Sequence, residues 1–247
     1  MEAVWEWFRA LNDASGINLT IFYDGFDRRR FVSGFLMTLR LAAICIVASV
    51  LIGILGAWLQ GSRLFFTRKI VYWYIQFFRN TPPLVQIYFF YFGIGSLLSA
   101  TNAAGTPVPV VSNVTWAIVS LSFFAGAFNV EIFRSGVEAV PKTTIEAAES
   151  LGFSRLRTYL FIVLPLAFRI SLPALNNNLV NLVKTTTLAY AIAVPEMLYI
   201  TSQIWSDNLN VPEMMNVLLV AYFLLVGSLV WVMNRWERAI RVPGFGA

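Results

Sequence analysis

Residues 146–165 read EAAESLGFSRLRTYLFIVLP, and this stretch decides how the rest of the chain is interpreted. Its first part, from Glu146 to Gly152, is a short polar break between two long apolar segments. Ala147 and Ala148 favour a helix and leave little side-chain bulk, so another surface can approach closely. Gly152 can adopt the left-handed conformation that ends a helix. The stretch therefore predicts a short, exposed helix that suits a groove on another protein.

The residues around the start of this helix predict how it begins. Thr143 or Thr144 is expected to cap a helix that follows Pro141. Glu146 and Glu149 are then expected near the positive end of the helix dipole, where carboxylates are stabilising.

The composition is that of an integral membrane protein. Of the 247 residues, 58% are hydrophobic and 13% are charged, and the mean hydropathy is +0.69. Soluble domains have about a quarter of their residues charged. The net charge of +5 is scattered between apolar segments, which fits membrane orientation better than nucleic-acid binding. The single cysteine, Cys45, lies in an apolar run, so a disulfide framework is excluded.

Five apolar segments are long enough to cross a bilayer, which takes about 20 residues. They are residues 31–60, 70–98, 114–133, 158–183 and 214–234. We therefore predict an all-α integral membrane fold with about five transmembrane helices.

The remaining segments complete the predicted organisation. Residues 31–241 are expected to form the transmembrane domain, between an N-terminal tail of residues 1–30 and a C-terminal tail of residues 242–247. The tail 1–30 is expected at the membrane surface or in the periplasm. A further apolar stretch, 188–204, is expected on the outer side or as a re-entrant helix.

Lysine and arginine are concentrated in three segments, which predicts the orientation of the chain. Residues 60–69, the polar loop 139–157 and the segment after the last span, with Arg235, Arg238 and Arg241, are basic, whereas 100–112 and 205–213 contain no lysine or arginine. The basic segments are therefore expected in the cytoplasm and the N-terminal tail outside.

One cluster opposes this orientation. Arg28, Arg29 and Arg30 would lie outside, and Asp24 and Asp27 offset their charge only in part. Because the three other segments agree with one another, we keep the orientation.

The sequence offers no hydrolytic machinery of its own. Lys69, Lys142 and Lys184 are not preceded by glycine, so a phosphate-binding loop is excluded. The chain has no histidine, which removes the commonest general base and metal ligand. We expect no cofactor or metal in this chain, and any ATP must be held by another chain.

A second motif, FRNTPPLVQ at residues 78–86, interrupts the second apolar segment. Pro82 and Pro83 supply no backbone N–H, so a helix breaks or kinks there. Breaks at membrane depth are tolerated where the backbone lines a cavity or is buried in protein.

The two motifs together resemble a known family. The EAA triplet, the glycine and the Ile-x-Leu-Pro of residues 146–165 resemble the EAA loop in the membrane subunits of bacterial ABC importers. The stretch 78–86 resembles the polar amino-acid permeases, as do GAFNVEIFR, LPALNNN and NLVKTTTL at residues 126–134, 172–178 and 181–188. The resemblance extends from about Gly34 to Arg241. One departure is Thr143-Thr144-Ile145, where many members have Gly-Gln before the triplet.

The resemblance implies the type I ABC importer permease fold and a multi-pass subunit of the bacterial inner membrane. Such a permease imports polar amino acids and pairs with a second copy or a close paralogue. Two separate ATPase subunits bind ATP and Mg, and a periplasmic or lipid-anchored binding protein delivers the solute. The resemblance assigns contact with the ATPase to Glu146, Ala147, Ala148, Gly152 and Phe153.

Six polar side chains in or near the spans are candidates for the substrate pathway: Gln86, Asn129, Glu131, Arg134, Lys184 and Glu196. Glu131 can meet the ammonium group of an amino acid, and Arg134 or Lys184 can meet its carboxylate. Alternatively, Glu131 and Arg134 pair with each other, since they are three residues apart on a helix, or Arg134 reaches the interface. Glu196 either lines the outer mouth or is a solvated loop residue.

Two other functions remain as alternatives. An ion-coupled secondary transporter of small polar solutes would explain the helix break and the charges in the spans. It fits less well, because no internal repeat is visible and the EAA loop is left unexplained. A membrane scaffold or receptor would need neither a broken helix nor charges facing a pore.

Overall fold

The computed structural model describes residues 2–101 and 107–240, and these residues are helical almost throughout. In chain order the α-helices are α1 (Glu2–Ser15), α2 (Thr20–Tyr23), α3 (Gly25–Gln60), α4 (Phe65–Asn80), α5 (Pro83–Tyr88), α6 (Gly95–Leu97), α7 (Asn113–Glu138), α8 (Lys142–Ser150), α9 (Arg155–Thr158), α10 (Leu164–Thr185), α11 (Met197–Asn208) and α12 (Val211–Ile240). Turns of π-helix at Phe89–Ile94 and Tyr159–Val163 and of 3-10 helix at Thr186–Ile192 join several of them. Strand β1 (Ser99–Thr101) pairs antiparallel with β2 (Pro107–Pro109).

Four helical segments are long and apolar enough to cross a membrane: Gly25–Gln60, Asn113–Glu138, Arg155–Ile192 and Val211–Ile240. The predicted all-α, multi-pass membrane fold is therefore confirmed. The second predicted span, 70–98, is instead two shorter helices, α4 and the apolar segment Pro83–Leu97.

The division of the second span follows from its proline pair. Helix α4 ends at Asn80, and Thr81 is extended, with φ −112° and ψ 141°. A residue close before proline is pushed out of the helical region, whereas Pro83 suits the first position of α5 because its missing N–H is not needed there. The helix break predicted from this motif is confirmed.

The first span begins earlier than its hydrophobicity indicates. Asp24 accepts hydrogen bonds from the backbone N–H groups of Phe26, at 2.7 Å, and Asp27, at 2.8 Å. This side-chain cap starts α3 at Gly25, so the end of the predicted tail 1–30 belongs to the span helix. The predicted tail 242–247 and Arg241 lie outside the described residues.

The chain divides into two compact units. The first consists of Met1–Ile44, Leu84–Ser120 and Val183–Gly227. Its buried residues include a cluster of Ile21, Ile204 and Met214, against which Phe31 and Val217 pack. The second consists of Cys45–Pro83, Leu121–Leu182 and Ser228–Ala247.

Small residues let the helices of the second unit approach one another closely. A Cβ atom at Gly53 would overlap Asn129, and one at Gly56 would overlap Val130. A Cβ at Gly126 would lie 2.7 Å from Ile52 Cγ2. The missing side chains of these glycines allow α3 and α7 to pack closely in this unit.

Candidate coupling helix and pathway residues

Helix α8 carries the EAA triplet and begins directly after Pro141. Thr143 and Thr144 therefore lie inside the first turn, and no side chain caps the helix. The predicted threonine cap is wrong, because Pro141 occupies the cap position, two or three residues earlier. Glu146 and Glu149 lie in the middle and the last turn, so their predicted position near the positive end of the dipole is also wrong.

The end of α8 is a glycine-dependent turn, as predicted. Gly152 has φ +85°, in the left-handed region. Its N–H donates to the carbonyl of Glu149 at 3.0 Å, and the N–H of Phe153 donates to the carbonyl of Ala148 at 3.1 Å. This pair of bonds is the Schellman motif, which satisfies the last carbonyls of a helix.

The two faces of α8 differ in burial. Ala148 is buried, and Ile145 packs against the cluster of Val140, Val163 and Ala167. On the other face, Glu146 and Ala147 are exposed. The inner face therefore fixes the helix to its own chain, and the outer face is available to a partner.

Three apolar side chains lie beside the exposed face, and sequence reasoning found only one of them. Leu151 is 79% exposed, Leu156 is 67% exposed and Phe153, the predicted one, is 40% exposed. The sequence could have indicated the two leucines, because they lie in a polar loop on either side of Gly152. Apolar residues in such a loop are not needed for the core of the chain. Together with the exposed Ala147 they are apolar side chains exposed on an otherwise polar loop.

The two charged pathway candidates of the second unit, Glu131 and Arg134, each form an ion pair with another residue. Glu131 pairs with Arg79, whose guanidinium also lies 5.2 Å from the ring centre of Phe128. Arg134 donates to both carboxylate oxygens of Glu138, at 2.7 and 2.8 Å. Glu131 and Arg134 therefore each have another partner, and the pair that their spacing allowed is not formed.

These ion pairs border a cavity of about 730 Å³ in the second unit. Its lining residues are Gln60, Phe65, Arg68, Lys69, Tyr72, Glu131, Arg134 and Glu138. Charges of both signs thus face one space, which suits a zwitterionic solute or water. Among residues 2–101 and 107–240, no three His, Cys, Asp or Glu side chains are grouped in a way that could hold a metal ion.

Asn129 is fully buried at a helix contact of the second unit. Its amide nitrogen donates to Ser49 Oγ at 3.3 Å, and its amide oxygen accepts from Asn178 Nδ2 at 2.8 Å. Asn178 also donates to the carbonyl of Ala125 at 3.0 Å. These bonds join α3, α7 and α10 within the unit.

In the first unit, Gln86 is also buried, with 2% exposure.

Glu196 lies in the interior of the first unit. It is fully buried and accepts the N–H groups of Leu198 and Tyr199, at 2.9 and 2.8 Å, so it caps α11. The hydroxyl of Tyr222 donates to the same carboxylate at 3.1 Å. A solvated loop residue, the alternative left open by the sequence, is therefore excluded.

Thr38 completes this polar cluster, and no sequence motif pointed to it. Its Oγ1 accepts the N–H of Met197 at 2.9 Å and donates to the carbonyl of Gly34 at 3.2 Å. The hydroxyl groups of Thr38 and Thr186 lie close to that of Tyr222. Lys184, near the end of α10, is exposed.

Comparison with known proteins places this geometry in a family. Residues 49–242 match the family described as binding-protein-dependent transport system inner membrane component. The octopine transport system permease protein OccM of Rhizobium radiobacter is 30% identical over 223 residues, which cover 86% of this chain and 90% of the relative. The histidine/lysine/arginine/ornithine transport system permease protein HisM of Salmonella typhimurium is 31% identical over 212 residues, 86% of this chain and 90% of the relative.

A solved structure agrees with these relatives. The crystal structure of an amino acid ABC transporter with histidines superposes with a TM-score of 0.76 and 26% sequence identity, covering 86% of this chain and 94% of that one. The family match covers most of the chain and includes α8 with its Schellman turn. The chain belongs to the family of inner membrane components of binding-protein-dependent transport systems.

Proposed function

We propose that this chain is the permease subunit of an ABC importer that carries polar amino acids across the bacterial inner membrane. The observation that carries the proposal is α8, a short helix fixed on one face by its own chain and exposed on the other. Relatives named as permeases for octopine, histidine and glutamine support the substrate class. Family membership favours this function over an ion-coupled transporter, which would leave α8 without a role.

The ATPase is proposed to be a separate subunit that holds ATP and Mg. The exposed face of α8 then sits in a cleft of that subunit, with Glu146 facing polar groups and Ala147 allowing close approach. Ala148 and Gly152 set the position and the end of the helix. Phe153, with Leu151, adds apolar contact beside it.

The proposed complex contains two permease subunits, two ATPase subunits and a binding protein outside. When ATP binding closes the ATPase pair, the two copies of α8 are drawn together. Because α8 is held to its own chain at Ile145 and Ala148, its movement is transmitted to the attached spans. The solute path then opens alternately to either side.

The six pathway candidates have different proposed parts in this path. Glu131 and Arg134 present charges to the cavity of the second unit. Asn129 and Glu196 are fully buried and hydrogen-bonded, so they shape the path through the helices that they hold. Gln86 lies just after the helix break, and Lys184 is exposed.

The test of coupling uses Gly152→Asp, with ATPase binding measured in the complex purified in mild detergent from its native host and uptake measured in intact cells of that host. An aspartate there strains the left-handed turn and adds a negative charge at the negative end of a helix dipole. We expect the co-purified ATPase and the amino-acid uptake to fall by about tenfold or more, equivalent to about 1.4 kcal/mol of binding. Membrane insertion, measured by yield in the membrane fraction, is expected to be unchanged.

Gly16→Asp is the matched control. Gly16 also has a left-handed backbone, with φ +74°, and it ends helix α1. A Cβ atom at Gly16 would meet open space, as it would at Gly152. This variant is expected to keep both ATPase and uptake. Normal uptake by Gly152→Asp, or equal losses in both variants, would contradict the coupling role of α8.

A further inference from the structure

A cavity of about 400 Å³ lies on the first unit, along the N-terminal part of α3. Its lining residues are Arg28, Arg29, Val32, Ser33 and Leu36. These positions lie within about 140° of one another around a helix, so they form one continuous stripe. Val32 is 49% exposed and Leu36 is 57% exposed, and both lie further along the span than the arginines. The cavity is therefore basic at its outer end and apolar along the span.

The two arginines at the basic end direct their charges to one place. A Cβ atom at Gly25 would lie 3.7 Å from Arg28 Nη2 and 3.8 Å from Arg29 Nη1. Both guanidinium groups therefore reach back toward the start of α3, as long side chains on a helix do. The Cζ atom of Arg28 also lies 4.2 Å from the centre of the Trp5 ring, so α1 helps to hold this side chain. Two like charges that converge in this way favour an anion beside them.

The neighbouring carboxylates do not neutralise these two charges. Among the side chains that the structure describes, neither Arg28 nor Arg29 takes part in an ion pair. Asp24 caps the start of α3, and Asp27 pairs with Arg30. The cavity can therefore receive an anion from outside the described part of the chain.

The basic end of the cavity lies at the edge of the membrane. Phe31 packs against the buried cluster that contains Met214. Met214 begins an uncharged stretch of α12, residues 214–234, which is about 31 Å long and matches a hydrocarbon core of about 30 Å. The two arginines precede Phe31 by two and three residues, or about 3–5 Å along the helix. They therefore lie at the level of the lipid headgroups, and the apolar part of the cavity lies at the level of the acyl chains.

We propose that this cavity binds one anionic phospholipid, with its phosphate on Arg28 and Arg29 and an acyl chain along Val32 and Leu36. Guanidinium groups bind phosphate oxygens through paired, charge-assisted hydrogen bonds. Phosphatidylglycerol brings a phosphate without a cation of its own, whereas the ammonium group of phosphatidylcholine is repelled by the arginines. The order of charge and apolar surface along α3 matches the order of phosphate and acyl chain in a lipid, and this match favours a lipid over a protein partner.

A bound anionic lipid also accounts for the one basic cluster that opposes the predicted orientation of the chain. In that cluster, Arg30 has carboxylate partners in Asp27 and Asp207. The lipid phosphate supplies the partner of the other two arginines, on the side of the membrane where lysine and arginine are otherwise scarce. This inference is independent of the solute that the transporter carries.

The test titrates the whole transporter, purified and delipidated in detergent, with phosphatidylglycerol or phosphatidylcholine. Native mass spectrometry measures how many lipids the intact complex binds at each concentration. The wild type is expected to bind one phosphatidylglycerol per copy of this chain at least about tenfold more tightly than phosphatidylcholine. Arg29→Gln is expected to weaken phosphatidylglycerol binding by about fivefold and to leave phosphatidylcholine unchanged. Leu36→Ser is expected to weaken both lipids alike, because they share the acyl chain.

Arg9→Gln is the matched control, because Arg9 is another exposed arginine of the first unit but does not line the cavity. It is expected to bind both lipids as the wild type does. Unchanged phosphatidylglycerol binding in Arg29→Gln would overturn the proposal. Equal losses in Arg9→Gln and Arg29→Gln would also overturn it, in favour of a general effect of surface charge.

Glycerol phosphate separates a lipid site from a site for free phosphate, since it has the phosphate but no acyl chain. It is expected not to displace phosphatidylglycerol when the two are present at equal concentration. Displacement under that condition, together with unchanged lipid binding in Leu36→Ser, would overturn the lipid proposal and indicate a site for soluble phosphate.

Discussion

Helices α8 and α11 are both short, and both lie between long spans, yet they are held in opposite ways. In α8, Ala148 is buried and the helix starts without a side-chain cap. In α11, Met197, Thr201, Ser202 and Ile204 are buried, and Glu196 caps the first turn from inside the protein. Helix α11 buries four of its residues and α8 only one, so α11 has less free surface for a partner. The contrast therefore separates a helix built for docking from one built for internal support.

The largest expected effect comes from removing the cap of α11. Glu196→Ala leaves the N–H groups of Leu198 and Tyr199 and the hydroxyl of Tyr222 without their acceptor in a buried site. We expect a loss of about 2–3 kcal/mol in the free energy of unfolding, measured by thermal unfolding in detergent. Glu196→Gln keeps an acceptor oxygen and is expected to lose less. Glu146→Ala on the exposed face of α8 is the control, and an equal loss there would contradict the contrast.

This contrast also shows what the sequence can and cannot predict. The position of α8 was predictable because Pro141 and Gly152 act on the backbone next to them. The break at Pro82 and Pro83 was predictable for the same reason. The partner of Glu196 was not, since Tyr222 is 26 residues away and reaches it only in the folded chain.

The charged pairs teach the same lesson. Glu131 was predicted from its spacing to face Arg134 or a solute, but its partner is Arg79, 52 residues away. The prediction of the cap of α8 was wrong for a local reason. Two threonines are good capping residues, but the helix starts directly after the proline before them. Local rules therefore predict the break at the proline pair and the turn at Gly152, and partners from distant helices decide what polar side chains do.

The next effect concerns the leucine at the end of each helix. Leu151 ends α8 and is 79% exposed, and Leu209 ends α11 and is 88% exposed. If α8 docks, Leu151→Ser removes an apolar contact, and we expect about tenfold weaker binding of the purified ATPase, or about 1.4 kcal/mol. Leu209→Ser is expected to leave that binding unchanged. Equal binding by both variants would remove Leu151 from the docking surface.

The same two leucines predict opposite effects on stability. Leu209 has φ 54°, a left-handed conformation that disfavours a side chain, whereas Leu151 has φ −83°. Leu209→Gly is therefore expected to raise the free energy of unfolding by about 0.5–1 kcal/mol, after the greater freedom of glycine in the unfolded chain is deducted. Leu151→Gly relieves no strain and is expected to lower it by up to about 1 kcal/mol. Thermal unfolding of the two variants side by side measures the difference, and a change of the same sign in both would contradict it.

The smallest expected effect tests how α8 begins. Thr144 lies inside the helix, and its N–H donates to the carbonyl of Pro141 at 3.0 Å, so its side chain has no cap to lose. Thr144→Ala is expected to change the free energy of unfolding by less than about 0.5 kcal/mol. Ser154→Ala is the comparison, because Ser154 caps α9 by accepting the N–H of Arg157, and its loss is expected to cost about 1 kcal/mol. If Thr144→Ala costs as much as Ser154→Ala, then the threonine caps α8 after all, and the docking helix starts later than Pro141 dictates.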